Sequence, residues 1–266
     1  MPELPEVETL VKQLEKRVIG KRIVKVDLID SDVVDSKIKN IGNRLIVNVK
    51  RRAKSIIIEL EKDFLLVHLR MTGHFHYIPK DSELRDYEKF IVAKFELNDG
   101  SLLTHNSIRK FGSIRLMNKE QLEQELSKLG PEPLSEKFTL DKFKDILSKK
   151  SKANIKTTLM DQKFISGVGN IYAMEALYWA GINPQRKIGS LSEKGYNELY
   201  KQLRRVLNLA IERKGSTVDN YAHIEGTGGF QKLLAVYGRE RCPKRHSLKK
   251  ISIGGRGTYY CSKCQS

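Results

Sequence analysis

Leu129-Gly130-Pro131-Glu132-Pro133-Leu134 divides the chain in two. Two prolines and a glycine within four residues interrupt any regular element, and the spacing of apolar residues differs on the two sides. Upstream the period is two: Val24/Val26/Leu28, Leu45/Val47/Val49, Leu65/Val67/Leu69 and Phe75/Tyr77 alternate, with β-rich runs at 55–60, 90–97, 101–105 and 112–117. So many short strands in one block predict an antiparallel sandwich or barrel. Only the start departs from this, because Val7, Leu10, Val11, Leu14 and Val18 form one helical stripe that Pro5 and Glu6 open and Gly20 stops. Downstream, helical periodicity predicts helices near 139–149, 153–165, 171–180 and 192–214. The last of these carries Leu199, Leu203, Val206, Leu207, Ala210 and Ile211 on one face behind Ser192 as its N-cap. Residues 215–230, with four glycines, read as a mobile loop. The expected division is an N-terminal helix and β-sandwich over 1–130, a linker over 131–137, a helical domain over 138–236 that includes the loop, and a hairpin module over 237–266. The fold class is α+β and multidomain.

Composition narrows what such a chain can do. With 39% hydrophobic and 30% charged residues among 266, ordinary cores can form, which excludes a disordered chain and a disulfide-stapled miniprotein. No apolar run approaches the roughly 18 to 20 residues of a membrane span, so no membrane partner is expected. Glu3, Glu6 and Glu8 stand where a signal peptide would place positive charge, and a cytoplasmic location is the expectation. Lys and Arg number 49 against 32 Asp and Glu, a net charge of +17, which points to a polyanionic partner, most commonly nucleic acid.

The three cysteines all lie in the last 25 residues. Cys261 and Cys264 form a C-x2-C knuckle, and Cys242 stands upstream across an alternating stretch, Ile251 to Tyr260, that contains Gly254-Gly255 as a β-hairpin would. Tetrahedral zinc needs a fourth ligand. His246 supplies it, giving C-x3-H, 14 residues, then C-x2-C, a Cys3His set for one structural zinc in a zinc-ribbon hairpin. A short segment with so few large apolar residues has little else to hold it together. No organic cofactor is expected.

Removal of Met1 would leave Pro2 as the first residue, a secondary amine available as a nucleophile. An α-amine of pKa about 8 is roughly 10% neutral at pH 7, against about 0.04% for a lysine at 10.4. Its place at the positive end of the first helix disfavours the protonated amine and favours a carboxylate at Glu3. Attack on a sugar C1′ would give an iminium, which acidifies the neighbouring C–H bonds and permits elimination of phosphate. Farther along, Gly167-Val168-Gly169-Asn170 opens a helix whose unsatisfied N–H groups suit an anion, with Lys150, Lys152 and Lys156 adding charge.

These features occur in a recognisable order. Met1-Pro-Glu-Leu-Pro-Glu-Val-Glu-Thr9, Lys50-Arg-Arg-Ala-Lys54, His68-Leu-Arg-Met-Thr-Gly73, Ile108-Arg-Lys-Phe-Gly112, Leu129 to Leu134, Met160-Asp161, Gly167 to Ala173, Tyr237-Gly-Arg239 and Gly255 to Gln265 together resemble the formamidopyrimidine-DNA glycosylases, bifunctional repair enzymes that remove oxidised purines. The resemblance spans essentially the whole chain, and Leu4, where the endonuclease VIII branch usually has Gly, favours the purine-directed branch. It implies Pro2 as the Schiff-base nucleophile, Glu3 as the general acid, Lys54 at the lesion's phosphate, Arg256 on the flanking phosphates and in δ-elimination, and Glu6 in the lesion pocket. It implies Met71, Arg109 and Phe111 as the residues that fill the gap left by a flipped base, with Met and Phe as wedges and Arg on the orphaned base. It implies further DNA contacts at His68, Lys150, Lys152, Lys156 and Asn170, the last two in a helix–two-turns–helix motif over Asn154 to Gly181. Residues 215–230 match the family's lesion-covering loop. The expected enzyme is a monomeric DNA glycosylase with AP lyase activity, whose partner is duplex DNA containing an oxidised purine or an abasic site.

Departures from the family pattern are also visible. The family's second cysteine position falls at Arg245, so His246 as a ligand is read from the spacing alone; Phe90 stands where a histidine is common; and Ile108 replaces a usual proline. Two competing readings follow from the same residues: a pyrimidine-directed relative, and a non-catalytic binder of damaged DNA that needs neither the Pro2 amine nor Glu3.

Overall fold

The computed structural model describes residues 1–82, 88–216, 224 and 227–266. They form two units, Met1–Ser127 with Lys214–Gly228, and Lys128–Arg213 with Gly229–Ser266. In the first unit helix α1 (Leu4–Val18) buries the expected stripe: Val7, Leu10, Leu14 and Val18 are completely enclosed. Burying such side chains stabilises by about 1.5–3 kcal/mol each, which fixes the helix against the sheet. The helix starts at a reciprocal capping box between Glu3 and Glu6.

The alternating runs become eight strands, β1 (Arg22–Leu28), β2 (Arg44–Arg52), β3 (Ser55–Leu60), β4 (Phe64–His68), β5 (Gly73–Ile78), β6 (Ile91–Leu97), β7 (Leu102–Ser107) and β8 (Ser113–Met117). They form an antiparallel ladder in the order β5-β7-β6-β1-β2-β3-β4-β8. The ladder narrows at β1–β2 to two residue pairs, Arg22 with Leu45 and Ile23 with Arg44. Each side of this narrow join is a four-stranded half. Ile23, Phe95 and Leu103 from one half and Ile46, Ile58 and Leu65 from the other line one small apolar cavity, so the halves face each other as a sandwich.

The topology has one consequence for the site. β4 ends at the pair His68–Ser113 and β5 begins at the pair Gly73–Ser107, so the β4–β5 and β7–β8 connections both cross between the halves at the same edge. Residues 69–72 and 108–112 are therefore neighbours by construction. A further helix, α2 (Lys119–Ser127), was not read from the sequence. Its signal was the pair Asn118 and Gln121, whose side chains each accept the other's backbone N–H at 2.8–3.1 Å, ahead of the buried Leu122.

Burial of histidine in this unit sets its acid stability. His105 is fully buried, which pushes its pKa down to about 3. His68 is lowered to about 4, by burial first and then by the charges of Arg70, Lys54 and Arg115. The unfolded chain takes these protons near pH 6.5, so stability is complete above that pH and is lost as pH falls toward 4 and below. At pH 5 each group costs about 2 kcal/mol, about 4 together. The Tm of the protein is expected to drop steeply between pH 6.5 and 5, with a shallower drop in His105→Phe. Equal slopes in the two proteins would show that the acid lability arises elsewhere.

The second unit is helical, with α3 (Leu140–Ser148), α4 (Ile155–Met160), α5 (Asn170–Trp179) and α6 (Glu193–Glu212), followed by the hairpin β9 (Lys249–Ile253) and β10 (Arg256–Tyr260). Thr139, Asn154 and Ser192 cap α3, α4 and α6 through their side-chain oxygens. The helix expected over 153–165 stops at Met160. There the Gln162 side chain takes over: it accepts from Gly167 N at 2.8 Å and donates to the Met160 and Val168 carbonyls at 2.7 and 2.8 Å. The segment read as the start of a linker is also tied down. Gly130 N donates to the Gln162 carbonyl at 2.8 Å and Ser166 Oγ donates to the Gly130 carbonyl at 2.8 Å, so the Pro-rich stretch braces the α4–α5 turn. Among the described residues no helix is long and apolar enough to cross a membrane.

Candidate active site

The chain start is a buried polar knot. Pro2 is buried, and Glu3 and Glu6 are only 3% and 2% exposed. Glu6 accepts from Glu3 N through Oε2 at 2.9 Å, and from Ser216 N and Oγ through Oε1 at 2.8 and 3.1 Å. Carboxylates so enclosed persist only because their oxygens are satisfied. The knot also explains why Lys214–Gly228, expected with the helical domain, groups with the N-terminal unit: Ser216 is anchored on Glu6. Gly215 (φ +71°) and Gly228 are required here, since a Cβ on Gly215 would meet Glu6 and one on Gly228 would meet the Gly215 backbone. The rest of the lesion-loop reading, 217–223 and 225–226, falls outside the described residues.

Lys54 lies in the two-residue β2–β3 turn, where Ala53 takes φ +54°. Arg51 holds this turn beside α1, its Nε donating to Glu8 Oε2 at 2.7 Å and its Nη1 to the Ala53 carbonyl at 3.2 Å. Lys54 is 6% exposed, so the basic run does not end in a solvated lysine. His68, on β4, pairs with Ser55 at the start of β3, the residue after Lys54, and its Nδ1 accepts from Arg70 N at 3.1 Å. With its pKa near 4 it is neutral at physiological pH. The hydrogen of a neutral imidazole that accepts at Nδ1 sits on Nε2, making His68 a neutral donor rather than a cation.

The two crossing connections carry Met71, Arg109 and Phe111. Met71 is 39% and Phe111 58% exposed, so neither belongs to the core, and the Arg109 guanidinium lies 4.9 Å from the centroid of the Phe111 ring. Exposed side chains of this size, held together at one sheet edge, form a protruding wedge with one hydrogen-bonding arm.

In the second unit, α5 follows Gly169 with its N-terminal N–H groups at the end of the α4–α5 turn. Lys150 and Lys152 are exposed. Lys156 is not: it is completely buried, with Nζ donating to Asn170 Oδ1 at 2.7 Å and Thr258 Oγ1 at 2.8 Å. Asn170 Nδ2 donates in turn to the Gly257 carbonyl at 3.2 Å. The expected outward cation is therefore an internal one. It ties the turn to the β9–β10 hairpin because an ammonium this far from water requires acceptors. Arg256 is exposed where the hairpin turns through Gly254 and Gly255, at φ +58° and +70°.

Cys242, His246, Cys261 and Cys264 converge at the base of this hairpin with all ligand atoms within 4.8 Å of one another. Cys242 Sγ lies 4.0 Å from Cys264 Sγ, and His246 Nδ1 lies 3.3 Å from Cys264 Sγ and 3.6 Å from Cys261 Sγ. Tetrahedral zinc with Zn–S of about 2.3 Å and Zn–N of about 2.05 Å would separate the ligand atoms by about 3.8 and 3.6 Å. The four residues can hold a metal ion, and their donor set fits zinc.

Two family models match the chain, the formamidopyrimidine-DNA glycosylase N-terminal domain over residues 1–114 and the formamidopyrimidine-DNA glycosylase H2TH domain over 129–222. The formamidopyrimidine-DNA glycosylase of Shouchella clausii is 40% identical over 278 aligned positions covering 100% of this chain and 99% of that protein. The chain belongs to the formamidopyrimidine-DNA glycosylase family. The enzyme of the same name from Carboxydothermus hydrogenoformans is likewise 40% identical over the full length of both chains. Among solved structures, a variant of the Lactococcus lactis enzyme bound to Fapy-dG-containing DNA superposes with a TM-score of 0.92 at 33% identity, covering 100% of each chain. The Lactococcus lactis enzyme bound to abasic-site DNA gives 0.91 at 32%, covering 99% of each.

As a formamidopyrimidine-DNA glycosylase family member, the chain is a DNA glycosylase of base-excision repair. Sequence reading overlooked three residues that organise this family scaffold. Ser216 anchors Glu6, Gln162 shapes the α4–α5 turn, and Glu175, fully buried, accepts from the backbone N–H groups of Ala235, Val236 and Tyr237 at 2.8–3.0 Å. Only Glu175 left a signal, as a lone carboxylate among Ile171, Ala173, Met174, Ala176 and Leu177.

Proposed function

We propose that this glycosylase removes oxidised purines, 8-oxoguanine and formamidopyrimidines, from duplex DNA and then cleaves the abasic site by β,δ-elimination. The observation that carries the reading is the knot at the chain start, where Pro2, Glu3 and Glu6 are enclosed together on the first turn of a helix. Once Met1 is removed, the Pro2 nitrogen attacks C1′, the N-glycosidic electrons leave with the base, and a proton from Glu3 assists opening of the sugar ring. The resulting iminium draws electrons from C2′, so loss of a C2′ proton expels the 3′ phosphate, and a second elimination expels the 5′ phosphate. Lys54 at the lesion's phosphate and Arg256 on the flanking phosphates favour these departures electrostatically. Glu6, holding both Glu3 and Ser216, keeps the pocket in register.

On this reading Met71 and Phe111 fill the gap left by the flipped base, and Arg109 hydrogen-bonds the orphaned cytosine. Lys150, Lys152 and the start of α5 meet phosphates, with Asn170 and Lys156 supporting that surface from beneath. One structural zinc is bound by Cys242, His246, Cys261 and Cys264. The enzyme works as a cytoplasmic monomer with no organic cofactor. DNA as partner accords with the net charge of +17 and with the DNA complexes of the Lactococcus lactis relatives.

Borohydride trapping on a duplex with 8-oxoguanine opposite cytosine, followed by mass spectrometry of the cross-linked peptide, tests the proposal. The expected result is a covalent adduct at an N-terminal Pro2, absent in Pro2→Gly. Trapping on an abasic duplex alone would retain the lyase but overturn the purine assignment. Failure to trap on either duplex would favour a binding protein.

A further inference from the structure

The Thr72 side chain joins the two connections that carry the wedge. Residues 69–72 and 108–112 each contain an exposed residue in the left-handed region, Arg70 at φ +55° and Lys110 at φ +51°. Such backbone persists only when its surroundings hold it. Lys110 is held by Asp30, with Nζ–Oδ2 at 2.8 Å. On the other side the holding residue is Thr72, which is 7% exposed although Met71 before it is 39% exposed. Thr72 Oγ1 accepts from Arg109 N at 3.0 Å, across 37 positions of sequence. The Thr72 carbonyl meets Nδ1 of His74 at 3.0 Å. His74, on β5, is 4% exposed, and burial lowers its pKa, so the ring is neutral with its Nδ1 hydrogen directed at that carbonyl. A continuous path therefore runs from the rigid sheet at His74, through the Thr72 backbone and hydroxyl, to the backbone of Arg109 and its stacked neighbour Phe111.

We propose that Thr72 is a positioning residue that locks the Met71 connection to the Arg109–Phe111 connection, so that wedge and arm enter a damaged duplex as one preorganised unit. This rests on the intercalating roles assigned above. Without the hydroxyl, the Arg109 N–H loses its acceptor, and the two connections must be ordered separately when DNA binds. Damaged DNA should be affected and undamaged DNA spared, because only a flipped-out base creates the gap that the wedge fills.

The experiment compares the full-length protein with Thr72→Val, Thr72→Ser and the double variant Met71→Ala/Phe111→Ala. Affinities are measured for a duplex containing a tetrahydrofuran abasic analogue and for the undamaged duplex. Thr72→Val is expected to lower the damaged-to-undamaged affinity ratio roughly tenfold, with undamaged binding changed less than about twofold, and Thr72→Ser to restore the ratio. If Val is not tolerated at this packed position, Thr72→Ala, which introduces no new bulk, carries the same expectation. 2-Aminopurine placed opposite the analogue should report altered stacking in Thr72→Val and not in Thr72→Ser. A ratio that falls in Met71→Ala/Phe111→Ala but not in Thr72→Val or Thr72→Ala would overturn the proposal and leave the wedge intact. An unchanged ratio in the double variant would overturn the wedge itself, and the proposal with it. Equal losses on both duplexes would show Thr72 to be merely structural, which also overturns it.

Discussion

Glu3→Gln is expected to lower release of 8-oxoguanine from duplex DNA by about 10² to 10⁴-fold, the usual worth of a positioned general acid. The substitution is informative because of where Glu3 sits. It is the N-cap of α1, and its side chain accepts the Glu6 N–H within the capping box. A Gln keeps an acceptor oxygen at that place, so the helix start should survive; loss of a cap would itself cost only about 1 kcal/mol. What Gln cannot do is deliver a proton to an opening sugar ring. A preformed abasic site already exists in part as the open aldehyde, so cleavage of that substrate should fall much less than base release. Measuring both rates on matched duplexes separates chemistry from folding. Wild-type base release by Glu3→Gln would remove Glu3 from the mechanism, whereas equal collapse of both rates with a lowered Tm would mean that the cap had failed.

Stripping the metal is expected to have the largest structural effect. The hairpin module offers few apolar contacts of its own: Cys242 and Cys261 pack against Met174, Tyr178, Ala235 and Val236, with Tyr237, Leu248 and Tyr259 partly buried around them. Two of the buried members, Cys242 and Cys261, are thus themselves among the proposed metal ligands. Structural zinc contributes roughly 10 kcal/mol or more to folding of such small modules, far more than these contacts supply. Metal analysis of the purified protein should give one zinc per chain, and a strong chelator should abolish DNA binding while the β-sandwich keeps its cooperative melt. Lys156 makes the loss spread, because its partner Thr258 leaves with the hairpin and takes one acceptor from a buried ammonium. His246→Ala should lose most of the zinc and His246→Cys should regain it. Full zinc content and unchanged DNA affinity in His246→Ala would strike His246 from the ligand set.

The sequence conveyed periodicity well and connectivity poorly. Val7 to Val18 could be read because burial on one face leaves a periodic trace, whereas the face read for β1 and β2 fails at their bulges, where Val24 and Val47 are exposed and Ile23 and Ile46 are buried instead. The C-x3-H and C-x2-C spacing was legible for a similar reason, since tetrahedral coordination restricts how far apart ligands can stand. Hydrogen bonds between distant positions leave no such trace. Nothing around Ser216 announces that Glu6, 210 positions earlier, is its acceptor. Lys156 was read as an outward charge because lysine usually is one, and its enclosure depends on Asn170 and Thr258, which meet it only in the fold. The Pro-rich stretch at 129–134 shows the converse: proline and glycine mark a break in periodicity, and here the break is a brace because Gln162 and Ser166 hold it.

A Cβ on Gly228 would meet the Gly215 backbone and one on Gly215 would meet Glu6, so neither position has room for a side chain, while Arg213 and Gly229 are linked by a backbone hydrogen bond of 2.8 Å just outside them. Chain enters and leaves the intervening stretch through a neck. Closure is fixed there, and the entropy of a closed loop grows only as about (3/2)RT ln n, roughly 0.6 kcal/mol for each doubling of its length. Within that stretch Ser216 is tied to Glu6 and Ile224 N donates to Gln13 Oε1 at 3.0 Å, so a change of length costs little only away from these two anchors. The two glycines of the neck are the positions there least open to exchange, because a side chain at either would meet Glu6 or the Gly215 backbone.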